Sequence, residues 1–213
     1  MIKMLVEKID EFYREVEPEE ERDYFYVSEV CDCPRKIFFK IKHAEKEPLD
    51  PRVNRIFRNG DHVHIRLMSV LYSLGLVVAS EIEIPKDELF HGKADAIISI
   101  DNESHVVEIK SMNPFIFQKN NQPCIDHAAQ LQLYLYYFNI PKGIILVESK
   151  GNQELKEFII QKDEKLVEKI LTVFKELKLK IMNNELPPIP DKSNWEYDKC
   201  QYCVYKKTCK NFF

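Results

Sequence analysis

Gly92-Lys93-Ala94-Asp95-Ala96-Ile97-Ile98-Ser99-Ile100-Asp101-Asn102-Glu103-Ser104-His105-Val106-Val107-Glu108-Ile109-Lys110 is the stretch that decides how this chain folds. Two β-branched, apolar runs, 92–100 and 105–110, flank Asp101-Asn102-Glu103-Ser104, which has turn chemistry, so the stretch predicts a β-hairpin. A twisted hairpin can bring the ends of its strands together, and Asp95 and Glu108 can then share a hard divalent cation. Lys110 points to the same face as Glu108, because strand side chains alternate with period two. Two carboxylates and a lysine in one place suit metal-assisted hydrolysis of a phosphodiester. The metal lowers the pKa of a bound water and neutralises phosphate charge, while the ammonium stabilises the transition state or orients the water. Glu-x-Lys alone is also an ordinary pattern on a solvent-facing strand, so the rest of the chain has to decide.

Outward from the hairpin, 77–85 reads as a strand on its N-terminal side and 121–138 as a helix on its C-terminal side, ended by Asn139-Ile140-Pro141-Lys142-Gly143. Strands are expected at 143–149 and 154–160, and an amphipathic helix at 163–182. Before the hairpin, Val53, Ile56, Phe57, Val63, Leu67, Val70, Leu71 and Leu74 recur at helical spacing over 52–74, with Gly75 as the stop. Ser28 is a candidate cap for a short helix through Cys33-Pro34-Arg35-Lys36-Ile37-Phe38-Phe39. Residues 1–17 read as a helix and Glu17-Pro18-Glu19-Glu20-Glu21 as an exposed break. The order helix, strand, hairpin, helix, strand, strand predicts an α/β core with a mixed sheet.

The chain has 213 residues, 45% of them hydrophobic and 31% charged, the composition of an ordinary globular protein with a full core. No run approaches a membrane span, and the first residues turn acidic before a signal-peptide core could form, which points to a cytoplasmic protein. A net charge of −4 does not advertise a polyanion partner. Its distribution does: acid gathers at Glu15–Asp23, whereas Arg35, Arg52, Arg55, Arg58 and Arg66 make the following segment basic.

Four constellations bear on chemistry. His64 lies on the long helix and could add an imidazole to the metal of the hairpin; His62 faces elsewhere. Gln130 and Tyr134, at i and i+4, share a face that could serve a phosphate or the lysine. Cys200-x2-Cys203-x5-Cys209 has metal-ligand spacing and needs a fourth thiol, from Cys33 or Cys31; zinc and an iron–sulfur cluster both fit. Cys124 reads as a structural thiol. Around the cysteines Trp195, Tyr197, Tyr202, Tyr205, Phe212 and Phe213 interleave with Lys206, Lys207 and Lys210, as suits single-stranded nucleic acid or a small domain packed round a metal.

In this order, Cys33-Pro34-Arg35-Lys36, Gly60-x3-His64, Gly92-x2-Asp95, Glu108-x-Lys110, Gln130-x3-Tyr134 and the terminal cysteines resemble the RecB-like nucleases of the PD-(D/E)XK superfamily that carry an iron–sulfur cluster. The small size looks most like the CRISPR-associated "Cas four" family. The resemblance implies a restriction-endonuclease-like core at about 52–182 in a single nuclease domain spanning 1–213, with an iron–sulfur subdomain at about 26–45 together with 186–213. It implies cleavage of DNA that is single-stranded or has single-stranded ends, by an exonuclease or also an endonuclease dependent on Mg²⁺ or Mn²⁺. His64, Asp95, Glu108 and the Ile109 carbonyl would bind metal, Lys110 would be catalytic, and Gln130 and Tyr134 would form the motif of the next helix. Cys33, Cys200, Cys203 and Cys209 would hold a [4Fe–4S] cluster. Ala94 stands where the superfamily has proline, as in many RecB-like members. The CRISPR integrase is the implied partner. A stand-alone viral or mobile-element nuclease, and a non-catalytic accessory to an integrase, are the other roles the resemblance leaves open.

Overall fold

The structure, a computed structural model, describes residues 4–14, 20–191 and 199–211. The expected break at Glu17-Pro18-Glu19, and Glu15, Trp195, Tyr197, Phe212 and Phe213, lie outside the described residues. The elements run α1 (Met4–Arg14), β1 (Phe25–Tyr26), α2 (Pro34–Ile41), α3 (Pro51–Ser73), β2 (Val77–Glu83), β3 (Phe90–His91), β4 (Lys93–Ile100) and β5 (Glu103–Met112). They continue with α4 (Pro114–Lys119), α5 (Ile125–Tyr137), β6 (Lys142–Ser149), β7 (Leu155–Gln161), α6 (Glu164–Met182) and α7 (Lys206–Lys210). Two compact units result: Met1–Asp23, Asp32–Asn59 and Glu176–Phe213 form one, Tyr24–Cys31 and Gly60–Lys175 the other.

The second unit is built on a five-stranded sheet of order β2-β4-β5-β6-β7, antiparallel except for the parallel pair β5–β6. This is the mixed sheet expected. The hairpin turn is shorter than expected. Glu103 and Ser104 belong to β5, and only Asp101 (φ 51°) and Asn102 (φ 64°) turn. Two successive left-handed residues match the twist of the flanking strands, and Asp and Asn tolerate that conformation. On one face of the sheet Val63, Leu67 and Met68 of α3 pack on Ala96, Ile98, Val107, Ile109 and Ile144. On the other, α5 is buried along Ala129–Leu135, as a helix apolar nearly all round must be. A Cβ at Gly143 would fall 2.9 Å from both the Leu131 methyls and the Val106 carbonyl, so β6 can pass under α5 only with glycine there.

Several expectations need correction. The helix expected over 121–138 begins only at Ile125; Pro123 disfavours helical backbone just before it, and α4 fills part of the loop after β5. Ser28 caps no helix. Val27–Glu29 is a single 3₁₀ turn, in which Glu29 accepts from the Tyr26 amide at 3.0 Å, and α2 starts at Pro34 with Cys33 as its N-cap. The pair β1–β3, parallel through Phe25↔Phe90 and Tyr26↔His91, has only two residues a strand and carries no sequence periodicity. Among the described residues no helix is long and apolar enough to cross a membrane.

Candidate active site

The β4–β5 ladder runs from Ile100↔Glu103 to Ala96↔Val107. Beyond it the Asp95 side chain takes over, its Oδ2 accepting from the Ile109 amide at 2.6 Å. Asp95 Oδ1 is thereby turned toward α3, where His64 Nε2 lies 3.3 Å away. His64 Nε2 is buried without a hydrogen bond of good geometry, and so is Glu108 Oε2. Glu108 is 3% exposed. Its Oε1 accepts from Gln130 Nε2 at 2.8 Å and stands 2.7 Å from Lys110 Nζ, which also donates to Gln130 Oε1 at 3.0 Å. Glu108, Lys110 and Gln130 thus close a triangle.

Charge in this cluster is displaced from its ordinary balance. Burial pushes the Glu108 carboxyl up to about 7, against the opposing pull of Lys110. Asp95 beside it raises the His64 imidazole despite partial burial. An imidazole nitrogen and several carboxylate oxygens, two of those atoms buried and unpartnered, are a donor set suited to a divalent cation. One residue of the cluster was missed from sequence. Glu81 of β2 offers a carboxylate oxygen that, with one ligand atom each of His64 and Asp95, forms a set lying within 4.8 Å of one another. Its sequence signal is weak, because Ser80-Glu81-Ile82-Glu83 reads as an alternating edge strand.

Tyr134 shares a helix face with Gln130 as expected but reaches elsewhere. Its hydroxyl donates to the Lys93 carbonyl at 2.7 Å and fixes the entry of β4. Burial raises the pKa of that hydroxyl, so it stays protonated. Of the arginines expected on the polyanion path, Arg66 is held by both oxygens of Glu148, a carboxylate 2% exposed, at 2.5 and 2.6 Å. Arg55 is paired with Asp10 at 2.5 Å and lies over the Tyr13 ring. Arg35 donates to the Pro187 carbonyl at 2.8 Å and toward Cys209 Sγ at 3.7 Å. Arg52 and Arg58 are exposed on α3.

Cys33, Cys200, Cys203 and Cys209 line one cavity of about 850 Å³ in the first unit, with Arg35, Lys36, Lys206 and Lys210; Cys31 does not line it. No disulfide joins any of the six cysteines, all of which are among the described residues. Burial raises the pKa of Cys33 and of Cys203, while Lys36 acts to lower both.

Comparison with known proteins gives this architecture its class. Residues 7–210 match the PD-(D/E)XK nuclease superfamily. The chain belongs to that superfamily and is a nuclease. It is 27% identical to the CRISPR-associated exonuclease Cas4 of Saccharolobus solfataricus, over 97% of this chain and 95% of that protein. The crystal structure of SSO0001 superposes with a TM-score of 0.61 at 27% identity, covering 96% of this chain and 93% of the other. The alkaline exonuclease LHK-Exo of Laribacter hongkongensis shares the fold, with a TM-score of 0.58 at 12% identity over 84% of this chain and 93% of its own.

Proposed function

We propose that this chain is a divalent-metal-dependent deoxyribonuclease of the iron–sulfur, RecB-like kind, trimming single strands or single-stranded ends of DNA, in the cytoplasm and in the service of CRISPR spacer acquisition. The observation that carries the reading is the meeting of His64 Nε2 and Asp95 Oδ1 at 3.3 Å with a Glu81 carboxylate oxygen, next to the buried Glu108, whose Oε2 is unpartnered and whose Oε1 meets Lys110. Near-full-length similarity to a Cas4 exonuclease supports the substrate and the setting.

His64, Asp95 and Glu108, with the Ile109 carbonyl, would hold Mg²⁺ or Mn²⁺. The bound ion supplies Lewis acidity toward the phosphate and lowers the pKa of water. Lys110 places an ammonium against the charge that builds on the phosphate as the water oxygen–phosphorus bond forms and the phosphorus–ester oxygen bond breaks. Gln130 keeps Lys110 and Glu108 from drifting, since it bonds both. Tyr134 acts at one remove, bracing the backbone that leads to Asp95.

Cys33, Cys200, Cys203 and Cys209 hold a [4Fe–4S] cluster. A tetrahedral zinc ion with bonds of about 2.3 Å draws its four sulfurs to within about 4 Å of one another. A multi-iron cluster, each thiolate on a different iron, would spread them further, and iron content with absorbance at about 400 nm decides between the two. Cys33 rather than Cys31 completes the set because only Cys33 faces the cavity. Arg35, Arg52 and Arg58 with Lys206 and Lys210 guide the DNA; Arg55, Arg66 and Lys207 are paired with Asp10, Glu148 and Glu47.

The test is digestion of end-labelled single- and double-stranded oligonucleotides by the brown, cluster-loaded protein in Mg²⁺, Mn²⁺ or EDTA. Loss of nucleotides from single strands, supported by either ion and stopped by EDTA, is expected. Digestion that persists in EDTA, or a colourless protein holding zinc, contradicts the proposal.

A further inference from the structure

Glu81 stands on the edge strand β2 between the register pairs Ser80↔Ala96 and Ile82↔Ala94, beside Asp95. Its backbone has φ 50°, the left-handed region that a side-chain-bearing residue rarely enters within a strand. Such outliers persist where the surrounding structure imposes them, and they gather at functional sites. Glu81 Oε1 lies 3.8 Å from His64 Nε2, and its Oε2 lies 2.7 Å from Lys93 Nζ. That second contact is the diagonal one of the sheet register. Lys93 is paired directly opposite Glu83, so an ordinary cross-strand ion pair would join Lys93 to Glu83. Lys93 reaches instead to Glu81, into the cluster of carboxylates.

We propose that Glu81 is a further side chain of the divalent-cation site, and that Lys93 is the counter-charge its carboxylate holds when no metal is bound. The proposal rests on the reading of His64, Asp95 and Glu108 as the ion-binding set and adds a rim to it. Glu81 is 51% exposed and Asp95 19%, so Glu81 is the most solvent-facing carboxylate of the cluster. Two observations apart from Glu81 mark the place as one for a cation: Glu108, 3% exposed, leaves Oε2 unpartnered, and His64 Nε2 is buried facing Asp95 Oδ1 at 3.3 Å without a hydrogen bond of good geometry. Glu81, Asp95 and Glu108 bring three carboxylates toward two ammoniums, Lys93 and Lys110, and Lys110 is already engaged by Glu108 and Gln130. An arriving cation therefore competes with one mobile ammonium, that of Lys93, for Glu81. Metal occupancy frees Lys93 to meet a phosphate of the substrate.

Mn²⁺ titration of the full-length, cluster-loaded protein without DNA, read from the electron paramagnetic resonance of free Mn²⁺, tests this. Glu81→Gln should weaken Mn²⁺ binding on the order of tenfold, the usual effect of losing a group that shapes a metal site. Lys93→Gln should tighten it severalfold. Glu157→Gln, exposed on β7 at the opposite edge of the sheet, should leave it unchanged. In the Glu81→Gln background the gain from Lys93→Gln should vanish, because the two residues act as one unit. Wild-type affinity in Glu81→Gln alongside lost binding in Asp95→Asn would overturn the role of Glu81 and leave the metal site standing. An undiminished gain from Lys93→Gln in the double variant would overturn the exchange between Lys93 and the metal. Wild-type affinity in Asp95→Asn would remove the underlying site as well.

Discussion

Gln130 does for this site what a scaffold does for a tool. Its amide nitrogen holds Glu108 and its amide oxygen holds Lys110, so one side chain sets the distance between the proposed metal ligand and the proposed catalytic ammonium. Gln130→Leu keeps the volume and removes both bonds; turnover should fall by about tenfold or more while the KM for DNA stays near wild type, as single-turnover and steady-state assays would show. A KM effect without a rate effect would make Gln130 a DNA contact instead. Glu108 makes a second prediction. Its carboxyl is raised from 4.5 to about 7 by burial, so between those values the folded protein keeps a proton that the unfolded chain has released. Stability in EDTA should therefore fall as pH rises through that window, by up to about 3 kcal/mol, and level off above it. Mg²⁺ should recover the loss on the alkaline side, because it binds the ionised carboxylate. Melting curves of wild type and Glu108→Gln across the window check this, the variant losing most of the slope.

Helix ends are where the elements of this chain are most legible. α2, α3, α5 and α6 all end with a left-handed residue after the C-cap: His43 (φ 48°), Gly75 (φ 69°), Asn139 (φ 51°) and Asn184 (φ 57°). Each closes with paired bonds back to the last turn, as in Leu76 N to Leu71 O and Ile140 N to Leu135 O, the motif that satisfies orphan carbonyls. Gly75 and Asn139 announced their stops in the sequence; His43 did not, because histidine, though more at ease in the left-handed region than most residues, is not a usual helix stop as glycine and asparagine are. Asn139→Gly should leave the melting temperature near wild type, whereas Asn139→Val should cost about 1–2 kcal/mol in chemical denaturation, the β-branched side chain clashing in the left-handed region. The core of the site was legible for the same reason as the elements: Asp95, Glu108 and Lys110 lie on one hairpin whose period-two pattern is local. His64 and Gln130 follow from helical spacing. Glu81 and the Arg66–Glu148 pair were not legible, since one depends on a single backbone angle and the other joins α3 to β6 across most of the sheet sequence. Arg66, expected on DNA, is better read as the partner that a buried carboxylate requires.

At the scale of the whole molecule, one unit carries the nuclease residues and the other carries the four cavity thiols. Those thiols come from Cys33 and from the last part of the chain, so a cluster there closes a very long loop. Hydrolysis of a phosphodiester moves no electron, so the proposed cluster would be structural. Cys203→Ala should therefore lose iron and visible absorption and lower the melting temperature first, with activity lost as a consequence. A variant that kept both its iron and its melting temperature would clear Cys203 of this role. The central claim concerns the other unit. The measurement that tests it most directly is single-strand DNA digestion in Mn²⁺ by wild type, Asp95→Ala and Lys110→Ala, each first matched for iron content and melting temperature. The account predicts that wild type cuts and that both variants are folded, cluster-loaded and inactive. Cutting at the wild-type rate by either folded variant would contradict it.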